Sequence, residues 1–227
     1  MLIAEIGNSH CGNLSTAKEL IYQAKESGAD LIKTQVFDPE TINGSMPRGF
    51  YHDCAFTEKE FLELYEFADK MGIELFVTFF TPEYQILKTK MKYKKLSRPQ
   101  AVNLKDQLKF YDSKEYFISI PKDHKIPKMF NATILYVNDY MIDFDDSLDT
   151  INKLQEHCSN KVGLSDHTVN LTTCLRAIND YGVKTIEKHF CLEEQKNNIY
   201  HDGQLFRDSV HSATPKDFAK IAKELGK

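Results

Sequence analysis

The chain has 227 residues, 41% of them hydrophobic, which is enough to bury one large core or two small ones. Its 29 basic and 33 acidic residues give a net charge of −4, which argues against a generic nucleic-acid surface. Apolar stretches are too short to span a bilayer, and the five cysteines show no CxxC spacing. These features predict a reduced, cytoplasmic protein with no nucleic-acid or membrane partner.

Three junctions along the chain repeat one order: an amphipathic helical pattern, a glycine, then a β-rich run. They read AKESGADLIKTQ, ADKMGIELFVTFF and INDYGVKTIEKHF. Glycine ends a helix by adopting a left-handed conformation that is costly for other residues. Repeated helix-to-strand junctions of this kind predict a mostly parallel sheet with helices outside it.

Eight runs have the composition of strands. They are Leu2–Ile6, Asp30–Gln35, Glu74–Phe80, Lys92–Leu96, Tyr116–Ile120, Ala132–Val137, Lys161–Leu164 and Lys184–Lys188. Eight strands that alternate with helices predict an α/β fold of the (β/α)₈ TIM-barrel type, as a single domain over residues 1–227. A doubly wound open sheet is the alternative. No GxGxxG or GxxxxGK[ST] follows a strand, which removes the usual nucleotide-binding forms of that alternative.

Helical patterns fill most of the intervals. They are Ser15–Ser27, Thr57–Met71, Pro82–Lys90, Leu104–Tyr111, Ser147–Cys158, Asn170–Tyr181 and Pro215–Leu225. The interval PKDHKIPKMFN, after the fifth strand, holds two prolines and has room for barely one helical turn. It predicts a minimal barrel with a shortened fifth crossover. Residues 38–56 show no periodic pattern and lie where the active-face loops of a barrel belong.

The segment from Gly163 to Phe190 contains a cluster of candidate functional residues. Its GLSDHT and TIEKHF motifs form a parallel strand–helix–strand unit, so His167 and His189 follow strands that end at the same rim. Two acids and a lysine lie beside them: Asp166, Glu187 and Lys188. The histidines are candidates for a metal pair that water, substrate or a carboxylate would complete, or each is satisfied by a neighbouring carboxylate.

Polar side chains at the other strand ends predict an anion site on the same rim. Ammonium and hydroxyl groups suit a phosphate or carboxylate, and the candidates are Lys33, Lys94, Ser97, Ser119 and Ser165. Glu5 and Lys33 each interrupt an apolar run, which predicts either site residues or an ion pair across neighbouring strands. Together these residues point to a small anionic substrate in a metal-assisted reaction.

Several motifs carry a family resemblance over nearly the whole chain. IAEIGNSHCGN resembles the opening AEIGxNHxG of the sialic acid synthase family, SGADLIKTQVF its GADxVKxQxF, and KKLS its K(I/V)xS strand. GIELFVTFF resembles the third strand of that family, and GLSDHT with IEKHF resembles its closing signature. DSVHSATP matches the spacing of the D-x-x-x-S-x-x-P segment.

The resemblance implies a (β/α)₈ barrel that condenses phosphoenolpyruvate with an N-acetylated hexosamine, releases phosphate and uses Mn²⁺ or Mg²⁺. It implies that His167 and His189 hold the metal and that Glu5 handles the proton or the attacking water. The residues implied to bind phosphoenolpyruvate are Lys33, Lys94, Ser97, Ser119, Asn138 and Ser165. Those implied to contact the sugar are Gln35, Tyr140 and Asp208. A homodimer is also implied.

Four departures from the family pattern limit this expectation. Ser9 stands where the family has asparagine, Pro99 where it has an acid, and Tyr136–Val137 where it has histidine–cysteine. The chain also stops at Lys227, so the antifreeze-like domain that brings an arginine into a partner's site is expected to be absent. The departures keep two alternatives open: a degenerate barrel that binds phosphoenolpyruvate or a sugar acid without efficient turnover, and a different barrel lyase or aldolase.

Overall fold

Eight parallel strands close into a barrel in which each strand pairs with its neighbours in chain order and β1 pairs with β8. They are β1 (Leu2–Gly7), β2 (Leu31–Val36), β3 (Glu74–Phe79), β4 (Tyr93–Leu96), β5 (Glu115–Ile120), β6 (Ala132–Val137), β7 (Lys161–Asp166) and β8 (Ile186–His189). The predicted TIM barrel is therefore confirmed, and the open-sheet alternative is wrong.

The computed structural model describes residues 1–80, 90–98, 115–122, 132–140, 145 and 147–227. The described residues do not include the predicted helix 104–111, the predicted helix 82–90 except for Lys90, or Pro99. Nor do they include most of the predicted fifth crossover, residues 123–131. No helix within the described ranges has the length and apolar character needed to cross a bilayer.

The helices with both ends in the described ranges surround the barrel or cover its carboxyl-end face. They are α1 (Leu14–Glu26), α2 (Arg48–Cys54), α3 (Glu58–Lys70), α4 (Asp149–His157), α5 (Thr172–Asn179), α6 (Arg207–His211) and α7 (Pro215–Glu224). Caps fix several starts: Asn13 accepts a hydrogen bond from the Thr16 amide, and Thr57 forms a capping box with Glu60. Because Asn13 is the cap, α1 begins one residue before the predicted Ser15.

The three helix–glycine–strand junctions have the predicted backbone. Gly28, Gly72 and Gly182 adopt φ values of 92°, 70° and 67° after α1, α3 and α5. Each lets the chain reverse at once into the next strand, because only glycine reaches this region without strain.

Two apolar clusters hold the described residues together. The main core fills the barrel and the space under its helices; inside the barrel, Phe76, Tyr93 and Phe117 pack with ring centroids 5.5–6.0 Å apart. We call the second group the cap cluster. It consists of Phe37, Met46, Phe50, Tyr51, Cys54, Ile199 and Phe206.

The cap cluster joins two segments whose structure the sequence patterns do not predict. The stretch 38–56, interpreted as irregular, contains α2, and a short hairpin of β9 (Tyr200–His201) and β10 (Gln204–Leu205) follows β8. The segments meet through Phe50 and Phe206, with ring centroids 4.8 Å apart, and through the His201–Asp53 pair at 3.0 Å. Phe206 directly precedes α6, so the cap cluster sets the position of that helix.

Candidate active site

A cavity of about 260 Å³ opens at the carboxyl ends of the barrel strands. It is lined by ten of the predicted site residues: Glu5, Lys33, Gln35, Ser97, Ser119, Asn138, Tyr140, Ser165, His167 and His189. Strand ends gather at one rim in a closed parallel barrel, which is why residues far apart in the chain meet here. Asp208 lies directly behind the lining, where its Oδ1 accepts a 2.7 Å hydrogen bond from the Tyr140 hydroxyl.

The predicted position of one lysine is wrong. Lys95, not Lys94, lines the cavity: its ammonium donates to Ser119 Oγ at 2.7 Å and to both Glu187 oxygens at 2.7 and 2.9 Å. Lys94 lies outside the lining and extends towards the Tyr116 ring, 5.9 Å from its centroid. Side chains alternate along a strand, so neighbouring residues of β4 face opposite sides of the barrel wall.

Glu5 and Lys33 form a buried ion pair across β1 and β2, where they are register partners. Glu5 also accepts a 2.6 Å hydrogen bond from the Gly7 amide. Burial lowers the pKa of Lys33 to about 8, against the opposing attraction of Glu187. The structure therefore contains the ion pair across neighbouring strands, and both side chains also line the cavity.

Glu187 is a central residue of the site, although the sequence motifs assign it no role. It accepts from Lys95 and, at 2.8 Å, from the Ser165 hydroxyl. Burial alone would raise its pKa, but Lys33, Lys95 and these hydrogen bonds lower the pKa to about 2. The signal was present in IEKHF, because Glu187 is two residues from His189 and so shares its face of the strand.

A second buried network shapes the turn that carries His167. Asp166 accepts from Lys188 Nζ at 2.6 Å and from Asn138 Nδ2 at 2.9 Å. Asn138 in turn accepts a 2.6 Å hydrogen bond from the His167 amide. Asn138 therefore fixes the backbone before His167 as well as lining the cavity.

His167 and His189 lie side by side at the cavity wall, with ring centroids 5.2 Å apart. Burial lowers the pKa of each to about 3, so both imidazoles are neutral at pH 7 and keep a lone pair for a metal. Asp208 Oδ2 is 4.0 Å from His189 Nε2. Within the described ranges, no three His, Cys, Asp or Glu side chains are arranged to hold a metal, so a metal at the histidine pair would need further ligands from water or substrate.

Cations outnumber carboxylates in the lining. The charged lining residues are Lys33, Lys95, Lys188 and Arg98 against Glu5, Asp166 and Glu187. Three of the cations are lysines that pair with the three buried carboxylates. With neutral histidines, the described lining carries a small positive excess, which suits an anionic ligand.

Comparison with known proteins shows which family and which relatives this chain resembles. The NeuB family model matches residues 133–227. The N,N'-diacetyllegionaminic acid synthase of Legionella pneumophila is 27% identical over 234 residues, which cover 85% of this chain and 64% of that protein. The pseudaminic acid synthase of Helicobacter pylori is 28% identical over 229 residues, covering 85% and 66% respectively. The chain thus spans about two thirds of the length of these curated relatives.

Solved structures agree at the level of the fold. The N-acetylneuraminic acid synthetase of Leptospira borgpetersenii superposes with a TM-score of 0.82 at 23% identity, covering 99% of this chain and 82% of that one. A truncated 3-deoxy-D-arabino-heptulosonate 7-phosphate synthase of Thermotoga maritima gives 0.70 at 11% identity, covering 100% and 85%. The resemblance carried by the sequence motifs is therefore confirmed: residues 133–227 match the NeuB family model, and the chain is similar to synthases of sialic-acid-type sugars.

Proposed function

We propose that this chain condenses phosphoenolpyruvate with an N-acetylated hexosamine, such as N-acetylmannosamine, to a nine-carbon keto sugar acid. One observation carries the proposal: two neutral imidazoles, His167 and His189, share a cavity with buried lysines and serines in a barrel whose residues 133–227 match the NeuB family model. The relatives are named as synthases of this kind of sugar acid.

In the proposed reaction, C3 of phosphoenolpyruvate forms a bond to the aldehyde carbon of the open-chain sugar. Water adds at C2, the bond from C2 to the phosphate oxygen breaks, and inorganic phosphate leaves. The aldehyde oxygen takes up a proton and becomes a hydroxyl. Mn²⁺ or Mg²⁺ held by His167 and His189 would polarise that aldehyde oxygen.

The anionic donor binds to the lysines and hydroxyls of the cavity. Lys33 and Lys95 supply positive charge, and Ser97, Ser119 and Ser165 supply hydroxyl groups. Glu187 acts as a positioning residue, because it holds the Lys95 ammonium and the Ser165 hydroxyl in fixed orientations. Glu5 takes or delivers the proton of the attacking water, next to the ammonium of Lys33.

The sugar binds at the part of the cavity wall formed by Gln35 and Tyr140, while Asn138 belongs with the residues for phosphoenolpyruvate. The hydrogen bond to Asp208 and the edge contact with His167, 4.9 Å between centroids, hold the Tyr140 ring in place. A rigid aromatic wall gives the open-chain sugar a defined place, which is what orientation of its aldehyde requires.

The test is a panel of 2-acetamido sugars with phosphoenolpyruvate and Mn²⁺, followed by phosphate release and mass spectrometry. The proposal predicts phosphate release only when all three are present, together with a nine-carbon acid. His167→Ala and Glu5→Gln are expected to abolish release, because each removes a group placed at the reacting atoms. His157→Ala is the matched control, since that exposed histidine lies on α4, outside the cavity lining.

Other outcomes distinguish the alternatives. Binding of phosphoenolpyruvate in a calorimeter without product from any sugar would identify a binding protein. Product from a non-acylated aldose alone would identify a different barrel lyase or aldolase. Release unchanged in His167→Ala would remove the proposed role of the histidine pair.

A further inference from the structure

The two histidines of the cavity follow strands whose mutual backbone pairing ends just before them. Among the described residues, the parallel register between β7 and β8 ends where Asp166 meets Lys188. His167 lies past the end of β7, and His189 pairs instead with Glu5 of β1. Strand pairing therefore does not set the position of one histidine relative to the other.

The Lys188 side chain makes the connection that strand pairing lacks. It is fully buried, and its ammonium donates to Asp166 Oδ2 at 2.6 Å and to the Thr168 carbonyl at 2.8 Å. These two acceptors belong to the residues directly before and directly after His167. The lysine itself directly precedes His189 in β8, so one side chain joins the backbone segments of both histidines.

Apart from this lysine, each histidine is anchored on a different side of the barrel. The His167 amide donates to Asn138 Oδ1, just past β6, at 2.6 Å. The His189 carbonyl accepts from the Ala213 amide at 2.7 Å, and the strand of His189 pairs with Glu5 of β1. These anchors hold each segment in place, but they leave the separation between the segments to contacts across β7 and β8.

The separation matters because the two rings face each other across a short distance. Their centroids are 5.2 Å apart. His167 Nδ1 lies 3.3 Å from the Ser165 carbonyl, which can only accept, so Nδ1 carries the hydrogen and Nε2 keeps its lone pair. Ligand distances at a metal tolerate changes of only about 0.2 Å. A shift of either segment would therefore remove one imidazole from a shared ion.

A buried ion pair is not the most stable way to fill this space. Apolar residues of similar volume are often as stable as a buried pair of charges, but they donate no hydrogen bond in a fixed direction. The acceptor is itself held rigidly: Asp166 also accepts from Asn138 at 2.9 Å, from the Thr168 hydroxyl at 2.9 Å and from the Cys174 thiol at 3.1 Å. The ammonium of Lys188 thus binds to a fixed point beside His167.

We propose that Lys188 is a positioning residue that sets the separation of His167 and His189, so that both imidazoles bind one divalent cation. This inference rests on the proposed function for the presence of that cation. The lysine acts through the two histidines and not on the reacting atoms.

Binding of Mn²⁺ alone to the full chain tests the inference, with calorimetry for affinity and pulsed EPR for the number of imidazole nitrogens coupled to the ion. Two coupled nitrogens are expected in the unmodified chain. Lys188→Met should weaken Mn²⁺ binding about 10–100-fold and leave one coupled nitrogen. It should also lower the urea midpoint, because Asp166 is left charged without its partner.

The double variant Lys188→Met with Asp166→Asn separates positioning from stability. It removes the unpaired charge, so its urea midpoint should return towards that of the unmodified chain, while Mn²⁺ binding stays weak and one nitrogen stays coupled. A lysine that only stabilises the fold predicts that affinity and both couplings return with the midpoint, and this result would overturn the inference. Two coupled nitrogens in either variant would overturn it as well.

Lys25→Met is the matched control. Lys25 also donates to a backbone carbonyl, that of Met71, but it joins α1 to the end of α3, outside the cavity lining. Its loss should leave Mn²⁺ affinity and both nitrogen couplings unchanged.

The inference and the proposed function fail by different results. A chain that binds Mn²⁺ through two imidazoles but releases no phosphate with any sugar would contradict the function and leave the role of Lys188 standing. Phosphate release with full Mn²⁺ affinity in the double variant would support the function and overturn the inference. An unmodified chain that binds no Mn²⁺ would overturn the cation site on which the inference depends.

Discussion

The most consequential single residue in the cavity is Lys95. Its ammonium lies between Ser119 and Glu187, and all three side chains are buried. Removing each charge of a buried ion pair from water costs several kcal/mol. Only the partner charge and its hydrogen bonds offset that cost. Lys95 therefore neutralises Glu187, and in the proposed function it also supplies positive charge to the anionic donor.

Lys95→Met is expected to destabilise the protein by about 3–5 kcal/mol, because it leaves Glu187 charged and unpaired. It should also weaken binding of phosphoenolpyruvate by about 10-fold or more. Lys94→Met is the matched control, since the neighbouring side chain lies outside the cavity, and its effect on binding should be less than about 2-fold. Urea unfolding measures the loss of stability, and calorimetry measures the loss of affinity for phosphoenolpyruvate. Equal losses of affinity in the two variants would contradict the assignment of Lys95.

At the scale of elements, the strands follow from local patterns, whereas their register does not. The glycine junctions and apolar runs predict all eight strands, because helix ends and buried strands leave local signals. Whether Lys94 or Lys95 faces inward depends on pairing with β3 and β5, where Lys95 meets Thr78 and Phe117. That pairing is set by residues distant in the chain.

The cap cluster could not be predicted from the sequence for a related reason. α2 spans only seven residues and has no side-chain cap, and the hairpin strands β9 and β10 have two residues each. Elements this short have little periodicity to detect and depend on tertiary packing. The contact of Phe50 with Phe206 that joins them spans more than half of the chain.

Phe50→Ala is expected to loosen the cap cluster without unfolding the barrel, because Phe50 packs against Tyr51, His201 and Phe206 and not against the main core. Amide exchange should increase in residues 37–56 and 199–206, and the KM for the sugar should rise because α6 carries Asp208. Phe218→Ala is the control: it removes a main-core ring 4.9 Å from Phe190 and should cost about 3–5 kcal/mol of global stability. Uniform exchange changes in Phe50→Ala would show that the cap cluster is not a separate unit.

At the scale of the whole molecule, the barrel gathers buried ion pairs where its strands end. Strand register aligns Glu5 with Lys33 and with His189, and Ser165 with Glu187. Local signals predict the strand count and therefore the closed fold, but the pairing of each buried charge appears only when the barrel closes. The proposed function and the acid stability consequently depend on the same carboxylates.

Acid is expected to destabilise the whole barrel through Glu187 and Asp166. The pKa of Glu187 is about 2 in the folded state and 4.5 in the unfolded chain. Burial would raise the pKa of Asp166, but Lys188 and the hydrogen bonds from Asn138 and Cys174 together lower it in the folded state. A carboxyl whose pKa is lowered by folding stabilises the protein at pH values above its pKa in the unfolded chain. This contribution is lost as pH falls from about 4.5 towards about 2.

Glu187→Gln should lower stability at pH 7, since it leaves the Lys95 charge without its partner, and should flatten the dependence of stability on pH below about 4.5. Glu63→Gln is the matched control, because Glu63 is exposed on α3 and its pair with Lys18 is screened by solvent. Urea midpoints measured between neutral and acid pH test this prediction. If the midpoints of Glu187→Gln and of the unmodified chain change in parallel through the acid range, the Glu187 carboxylate is not stabilising.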